Sequence, residues 1–572
     1  MARTKTNNPD RWHFTTNRNA QGLIYLYAYQ TRWIPEEHTS KRTAKRYVGR
    51  VKPDGKITFS STFLEQFPQY ASGEFIYDNV EHEIIESEPS TVVPQAEENS
   101  DAPEVDSNTT TRSVGLTWAV SEIANQLQMK EDLRAVFGDD AEDLFNLALY
   151  KLSGGGAMCT YSLWFDDVVL SGGRALSGQR ISEILSRITP AQVSRFYALR
   201  HQRNAAQGPR HYALDSTTIS SYSKTIGDIA YGHAKRDPDL PVINYVLVTD
   251  QSTGEIIFTH TYEGSINDVA ALKGILARMV DAGMCMDNVV LITDRGYSSI
   301  ENVQRELNMD IKFVQGVRFA EDSVREAYIK HLPQLNKLGF YRSDLAVYGY
   351  SVNEKWYQDL DMGRIPVDLK LHLFRSPTIE HNQYHVVAEV DAVVKTRNEG
   401  KVVYADLWER TKRFITETVD KHGKKIWVRN SQKLEDWLQF EGGMALRTNA
   451  FTDPFEALRA YRMRSMVELS FNQFKNWLDG DRLRCTEATY IGKIFITTLA
   501  TSLRLCMLYR ASQSKKQGLE KPNDSLDTVI QTLIKLKADK RLSSNSWVRR
   551  DVPKKMRKLF ELLQIEEPPR FL

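Results

Sequence analysis

Hydrophobic and polar positions alternate along this chain in a way that sets out one α/β core. Val242 to Thr249 is a near-continuous apolar run, which predicts a buried strand. Asp250-Gln-Ser-Thr-Gly254 reads as a turn, and Glu255 to Tyr262 as the strand that returns. Asn267 to Ala282 has helical periodicity, with Asn267 or Asp268 as its start signal. The apolar run Asn288-Val-Val-Leu-Ile-Thr293 predicts another covered strand, followed by Asp294, a helix from Ser298 to Leu307 and a strand from Ile311 to Val317. Upstream, Arg210 to Asp215 reads as a strand ending on an acid, with a β-branched continuation. The order is three strands, helix, strand, helix, strand. That is the order of a ribonuclease H-like mixed sheet flanked by helices, in which the first and fourth strands lie side by side.

An Asp at the carboxyl end of a buried strand is a usual place for chemistry in such a sheet. Asp215 and Asp294 both qualify, although each would also serve as a helix cap. A third acid lies far downstream in Tyr461-x-x-Arg464-x-x-x-Glu468-x-x-x-x-x-x-Lys475. On one continuous helix these four side chains fall within about a 60° arc. The flank, Met463, Val467, Phe471, Phe474 and Leu478, is apolar and predicts a buried face. Arg464 and Glu468 also fit a plain i,i+4 surface pair. Three carboxylates without His or Cys form a hard-metal set suited to Mg²⁺ or Mn²⁺. Two ions about 3.5–4 Å apart would clamp the attacking and leaving oxygens of a phosphodiester displacement. Arg464 and Lys475 would then face phosphates.

With these residues in view, the chain resembles the DDE transposases of bacterial insertion sequences, in the cut-and-paste group with a Y-R-E-K signature. Tyr461, Arg464, Glu468 and Lys475 match that spacing in full. Leu214-Asp215-Ser216-Thr217 is similar to the family's first acidic motif and Asp294-Arg295-Gly296-Tyr297 to its second. The regions 232–240, 264–268 and 442–449 add diffuse likeness, and the whole extends from about Val114 to Leu508. The resemblance implies a catalytic Asp215, Asp294 and Glu468 holding two Mg²⁺ (or Mn²⁺) ions. It implies double-stranded DNA as partner, both terminal inverted repeats and target, with a homodimer on paired ends. In related enzymes the cut passes through a DNA hairpin, with one base flipped onto an aromatic. Tyr297 and Trp477 are the candidates here, with core packing as the other role for Trp477. Tyr461, Arg464, Lys475 and Arg295 are the candidate phosphate contacts.

The 174 residues between Asp294 and Glu468 exceed what the core needs, so an insertion domain is expected between them. Its strand-like stretches are 339–351, 369–375, 384–394 and 401–404, which predicts a β-rich unit. His381 and His385, beside Glu380, would need further ligands to hold zinc, and an exposed polar turn is expected there instead.

Composition narrows the class. The chain has 572 residues, 41% hydrophobic and 10% aromatic, so several folded domains are expected. Ile491 to Leu508 is the most apolar stretch, but Lys493 and Arg504 interrupt it, and a buried helix rather than a membrane span is expected. No signal-peptide pattern opens the sequence. Cys159, Cys285, Cys485 and Cys506 lack metal-ligand spacing, in keeping with a reduced cytoplasmic protein. The net charge of +2 conceals basic ends, including Lys41 to Arg46 and a cluster from Lys535 to Lys558, which would meet phosphates or simply be solvated.

Seven divisions follow. Residues 1–80 form a small basic β module with interleaved aromatics, a candidate for DNA contact. Residues 81–112 are an acidic linker with a disordered composition. Residues 113–205 are helical, with Thr189-Pro190-Ala191-Gln192 as a capping box, and are a candidate reader of inverted repeats. The catalytic core occupies 206–325 and 446–512 around the insertion at 326–445, and 513–572 is a basic helical tail. Two rivals stand beside strand transfer. One is a nuclease of the same fold that cuts without joining, and the other is a DNA-binding derivative without catalysis.

Overall fold

Ten strands form the central sheet. In the computed structural model they begin with β1 (Arg210–Ser221), β2 (Val242–Asp250) and β3 (Ile256–Glu263). Helix α1 (Asp268–Asp281), β4 (Val289–Thr293), helix α2 (Ile300–Asn308) and β5 (Lys312–Val317) follow. β1 pairs antiparallel with β2, β2 antiparallel with β3, β1 parallel with β4 and β4 parallel with β5. The spatial order β3-β2-β1-β4-β5 sets the first and fourth strands side by side, as expected. Every residue of β2 is buried, which explains its unbroken apolar run. Gly254 closes the β2–β3 turn at φ +75°, a conformation open to glycine, and its N–H donates to the Asp250 carbonyl.

The structure describes residues 12–18, 24–34, 39–42, 46–52, 56–71, 74–78, 83–87, 109–223, 225–232, 234, 237, 239–360, 363–379, 384–516, 525–541 and 546–572. Most of the acidic linker and the Glu380–His381 pair lie outside the described residues. The chain divides into two compact units, Met1–Glu104 and Val105–Leu572. The first holds a four-stranded antiparallel sheet of His13–Arg18, Ile24–Tyr29, Arg46–Val51 and Ile57–Phe59. Leu26, Ala28 and Val48 are buried there, while the rings of Tyr25 and Tyr27 pack on Tyr47 and Arg50 lies over Tyr25.

Three expectations need correction. β1 does not end at Asp215. It runs six residues further, because Ser216 to Ser220 stay paired with β2 and Ser220 and Ser221 pair with Arg482 and Leu483. The insertion is not a separate β-rich unit. Its long hairpin, β6 (Val347–Leu360) and β7 (Gly363–Arg375), joins the catalytic sheet through β8 (Gly443–Thr448), which pairs with both β5 and β7. Arg447 on β8 donates to Glu354 on β6 and to Glu321 after β5, tying the two halves. The stretch 384–394 is not a strand but the start of helix His385–Asn398, and 401–404 is irregular. Its valines suggested a strand, yet Val390 and Val393 sit at helical spacing and pack with Phe414 and Leu434.

Helix α3 (Pro454–Arg462), helix α4 (Ser465–Asn472) and the 30-residue α5 (Glu487–Lys516) return the chain to the core. α5 is long and apolar enough to cross a membrane by composition, but 83% of its most apolar window is buried inside the protein, as expected of a core helix. It shares one hydrophobic cluster with the helices between 115 and 205 and with the C-terminal helices. Helix Pro190–Ala205 begins with the expected Thr189–Gln192 capping box. Its Arg200 is 1% exposed and bonds Asp132 at 2.7 Å and Glu255 at 2.5 Å, which locks this helix to the foot of β3. The tail is not wholly helical: Lys537–Arg541 pairs with Thr109–Ser113, at the end of the expected linker, and with Val548–Arg549.

Candidate active site

Strand register brings the first two acids together. The last parallel pair between β1 and β4 is Leu214 with Thr293, so the next residues outward are Asp215 and Asp294. β4 stops there while β1 continues beside β2. The crevice beyond the end of β4 is where an open α/β sheet takes its ligand.

The third acid arrives on α4. The expected single helix is broken: α3 ends at Arg462, three successive i→i−3 hydrogen bonds at Arg464, Met466 and Val467 make a tight turn, and α4 then gives way to a π-helical turn at Gln473–Trp477. No Gly or Pro marks the break. Val467, Phe474 and Leu478 are buried as expected, and each contributes about 1.5–3 kcal/mol to docking the segment. Met463 is 41% exposed because the turn swings it outward.

Arg464 lies at the centre of the acids. Its Nη1 donates to Asp215 Oδ2 at 3.3 Å and its Nη2 to Glu468 Oε1 at 2.8 Å, with Asp294 Oδ1 at 3.8 Å from Nη2. Burial works against the Arg464 charge, but the charges of Asp294, Asp215 and Glu468 outweigh it and hold the guanidinium above its ordinary pKa. Tyr461 donates its hydroxyl to Asp294 Oδ1 at 2.9 Å. Burial, with the Asp294 charge beside it, pushes that phenol well above its usual range. Gly316 on β5 makes this contact possible. A Cβ there would stand 2.7 Å from the Tyr461 hydroxyl and 2.9 Å from the Arg295 backbone nitrogen.

The other expected residues scatter. Arg295 is exposed in the short turn after Asp294. Lys475 is half-buried in the π-helical turn. Trp477 is 49% exposed, and the guanidinium of Arg504 lies 5.6 Å from its ring centroid. Tyr297 is a correction. It is fully buried in the cluster formed by Leu272, Ile275 and Leu291, so its ring offers no face to a base.

Two groups escaped the sequence reading. Asp268, at the start of α1, accepts from Ser216 Oγ at 2.5 Å and from the Tyr262 hydroxyl at 3.1 Å, placing a fourth carboxylate beside the Asp215 strand. A cavity of about 470 Å³ opens between Arg295, Arg318, Phe319 and Tyr461. Only the Gly264-to-Asp268 motif hinted at the first. The second depends on distant segments of the chain meeting in space.

The all-oxygen donor set fits a hard divalent cation in chemistry. Among the described residues, however, no three His, Cys, Asp or Glu side chains stand close enough together to share one metal ion. The guanidinium holds the position between them.

A mixed sheet with one acid inside β1, a second just past the end of the neighbouring β4 and a third on a late helix is a nuclease-type α/β architecture. Residues 206–501, more than half of the chain, match the family described as transposase DDE domain, and the chain belongs to that family. Among solved structures, the cryo-EM structure of the piggyBac transposase synaptic complex with hairpin DNA is similar at 11% identity and a TM-score of 0.32. The similarity covers 73% of this chain and 76% of that one. No curated protein matches the chain.

Proposed function

We propose that this chain is the cut-and-paste transposase of a bacterial insertion sequence with a Y-R-E-K signature, working in the cytoplasm on chromosomal DNA. It binds terminal inverted repeats as a homodimer on paired ends, cleaves them and joins them to target DNA. One observation carries the reading: Asp215, Asp294 and Glu468, distant in sequence, all converge on the guanidinium of Arg464.

Asp215, Asp294 and Glu468 would hold two Mg²⁺ or Mn²⁺ ions, which supply Lewis acidity to the attacking and leaving oxygens of the phosphodiester. Arg464 serves as the resting counter-charge. It exchanges its carboxylate partners for a DNA phosphate when substrate and metal arrive, a trade suited to a planar guanidinium. Tyr461 orients the Asp294 carboxylate through its hydroxyl. Arg295 and Arg318, at the mouth of the adjoining cavity, meet phosphates of the strand being cut. Lys475 and Trp477 lie further along the same segment, for contacts beyond the scissile bond.

The test replaces each acid with Asn and measures Mg²⁺-dependent nicking of a labelled inverted-repeat end, followed by strand transfer into a target plasmid. Each variant is expected to lose both activities. Wild-type nicking in any one removes that residue from the centre. Nicking by the wild-type chain with no joined product would favour a nuclease of the same fold.

A further inference from the structure

Part of the C-terminal basic cluster lines a cavity. Between residues 535 and 558 the sequence holds ten Lys or Arg and two Asp. A cavity of about 390 Å³ opens there, lined by Lys535, Lys537, Arg550 and Lys555, with Asp551 as the only acid among its lining residues. Leu536 and Met556 form an apolar floor, both nearly fully buried. Arg550 is already held by Asp539 through two bonds of 2.8 Å, so it acts as a braced wall. Among the described residues no ion pair holds Lys535 or Lys537.

Helix α6 (Lys554–Leu562) starts at the edge of this cavity and breaks two local rules at once. Its N-cap is Pro553, which provides no side-chain cap, and its first turn contains no acid. Lys554 and Lys555 occupy the first two positions instead. Cations at the positive end of a helix are unfavourable. A bound anion turns the same features into a favourable set.

We propose that this cavity is a binding site for phosphodiester groups of duplex DNA, formed by Lys535, Lys537, Lys555 and the start of α6. It is separate from the three-acid centre and grips the backbone without reading sequence. The proposal rests on DNA being the substrate of that centre.

The test uses the full chain and fluorescence anisotropy on a labelled duplex of mixed sequence, with KCl varied. The triple variant Lys535→Ala/Lys537→Ala/Lys555→Ala should bind more weakly to all sequences alike. The slope of log K against log[KCl] should fall by about 3, close to one unit per phosphate contact. A second variant, Lys554→Glu, gives the helix the acid it lacks. It should raise the melting temperature of the free chain and weaken DNA binding, two effects of opposite sign. A solvated surface predicts the first effect without the second. An unchanged slope in the triple variant, or a wild-type chain that binds no duplex, overturns the proposal. So does a cavity that binds inorganic phosphate at constant ionic strength while the triple variant keeps full DNA affinity. If end cleavage proceeds normally in a triple variant with an unchanged slope, this site falls and the transposase reading stands. If the slope falls but the wild-type chain never cleaves, the site stands and that reading falls.

Discussion

Replacing Arg464 with Met tests whether one guanidinium keeps the acids of the centre in company until a metal takes its place. The side chain is 15% exposed, and so is shielded from bulk water. Its bond to Asp215 is a charge-assisted contact in a half-buried setting, worth about 2 kcal/mol. The bond to Glu468 is an i,i+4 pair with an acid that is 59% exposed, and solvent screening leaves about 0.4 kcal/mol. The 3.8 Å approach to Asp294 is too long to count as a hydrogen bond. A cation entering the centre must displace these contacts. Their removal should therefore tighten metal binding by about 2.4 kcal/mol, roughly 60-fold in Kd. Titration calorimetry with Mn²⁺ on the wild-type chain and on the Arg464→Met variant, both without DNA, measures this directly. The variant should bind metal more tightly yet nick DNA more slowly, because the phosphate contact is lost. Equal Mn²⁺ affinity in the two proteins would refute the displacement argument.

Three further outcomes are expected. Gly316→Ala drives a methyl group into the Tyr461 hydroxyl and the Arg295 backbone nitrogen, at a strain of about 1–3 kcal/mol, and should slow nicking about tenfold or more. Its effect should not add to that of Tyr461→Phe in a double-mutant cycle, because both act on the same Asp294 contact. Glu306 is fully buried, and burial raises its pKa to about 8. Its folded-state pKa lies above the unfolded value, so its contribution is complete below about pH 4.5 and is lost as pH rises toward 8. Glu306→Gln should therefore stabilise the chain in urea unfolding by about 4 kcal/mol at pH 7.5 and change little at pH 4.5. Arg200→Ala leaves Asp132 and Glu255 buried without their shared cation and should cost about 3–5 kcal/mol in the same unfolding assay.

Much of the core was legible because its physics is local. β2 is buried throughout, and such strands write themselves as unbroken apolar runs. The cap at Thr189 to Gln192 depends on four neighbouring residues and was read correctly. The full length of β1 was less legible: the β-branched residues after Asp215 suggested a continuation, but its end is set by pairing with β2 and with Arg482 and Leu483. The break between α3 and α4 left no mark, since its residues have ordinary helix propensity and Tyr461 and Arg464 find their partners on distant strands. Asp268 resembled a cap. In the fold Asn267 caps α1 by accepting from Ala270, and the Asp268 carboxylate turns to Ser216 and Tyr262. The union of the insertion with the sheet rests on β8 joining β5 to β7, and β8 lies more than a hundred residues beyond β5 in the chain.

That junction has a mechanical meaning. β7 has 13 residues, which span about 40 Å at roughly 3.3 Å each, somewhat more than one turn of B-form DNA. Because β8 stitches this ribbon to the strand next to Asp294, the ribbon and the acid behave as one stiff beam. Anything gripped near the far tip is held at a set span from the cutting point, as by a carpenter's gauge.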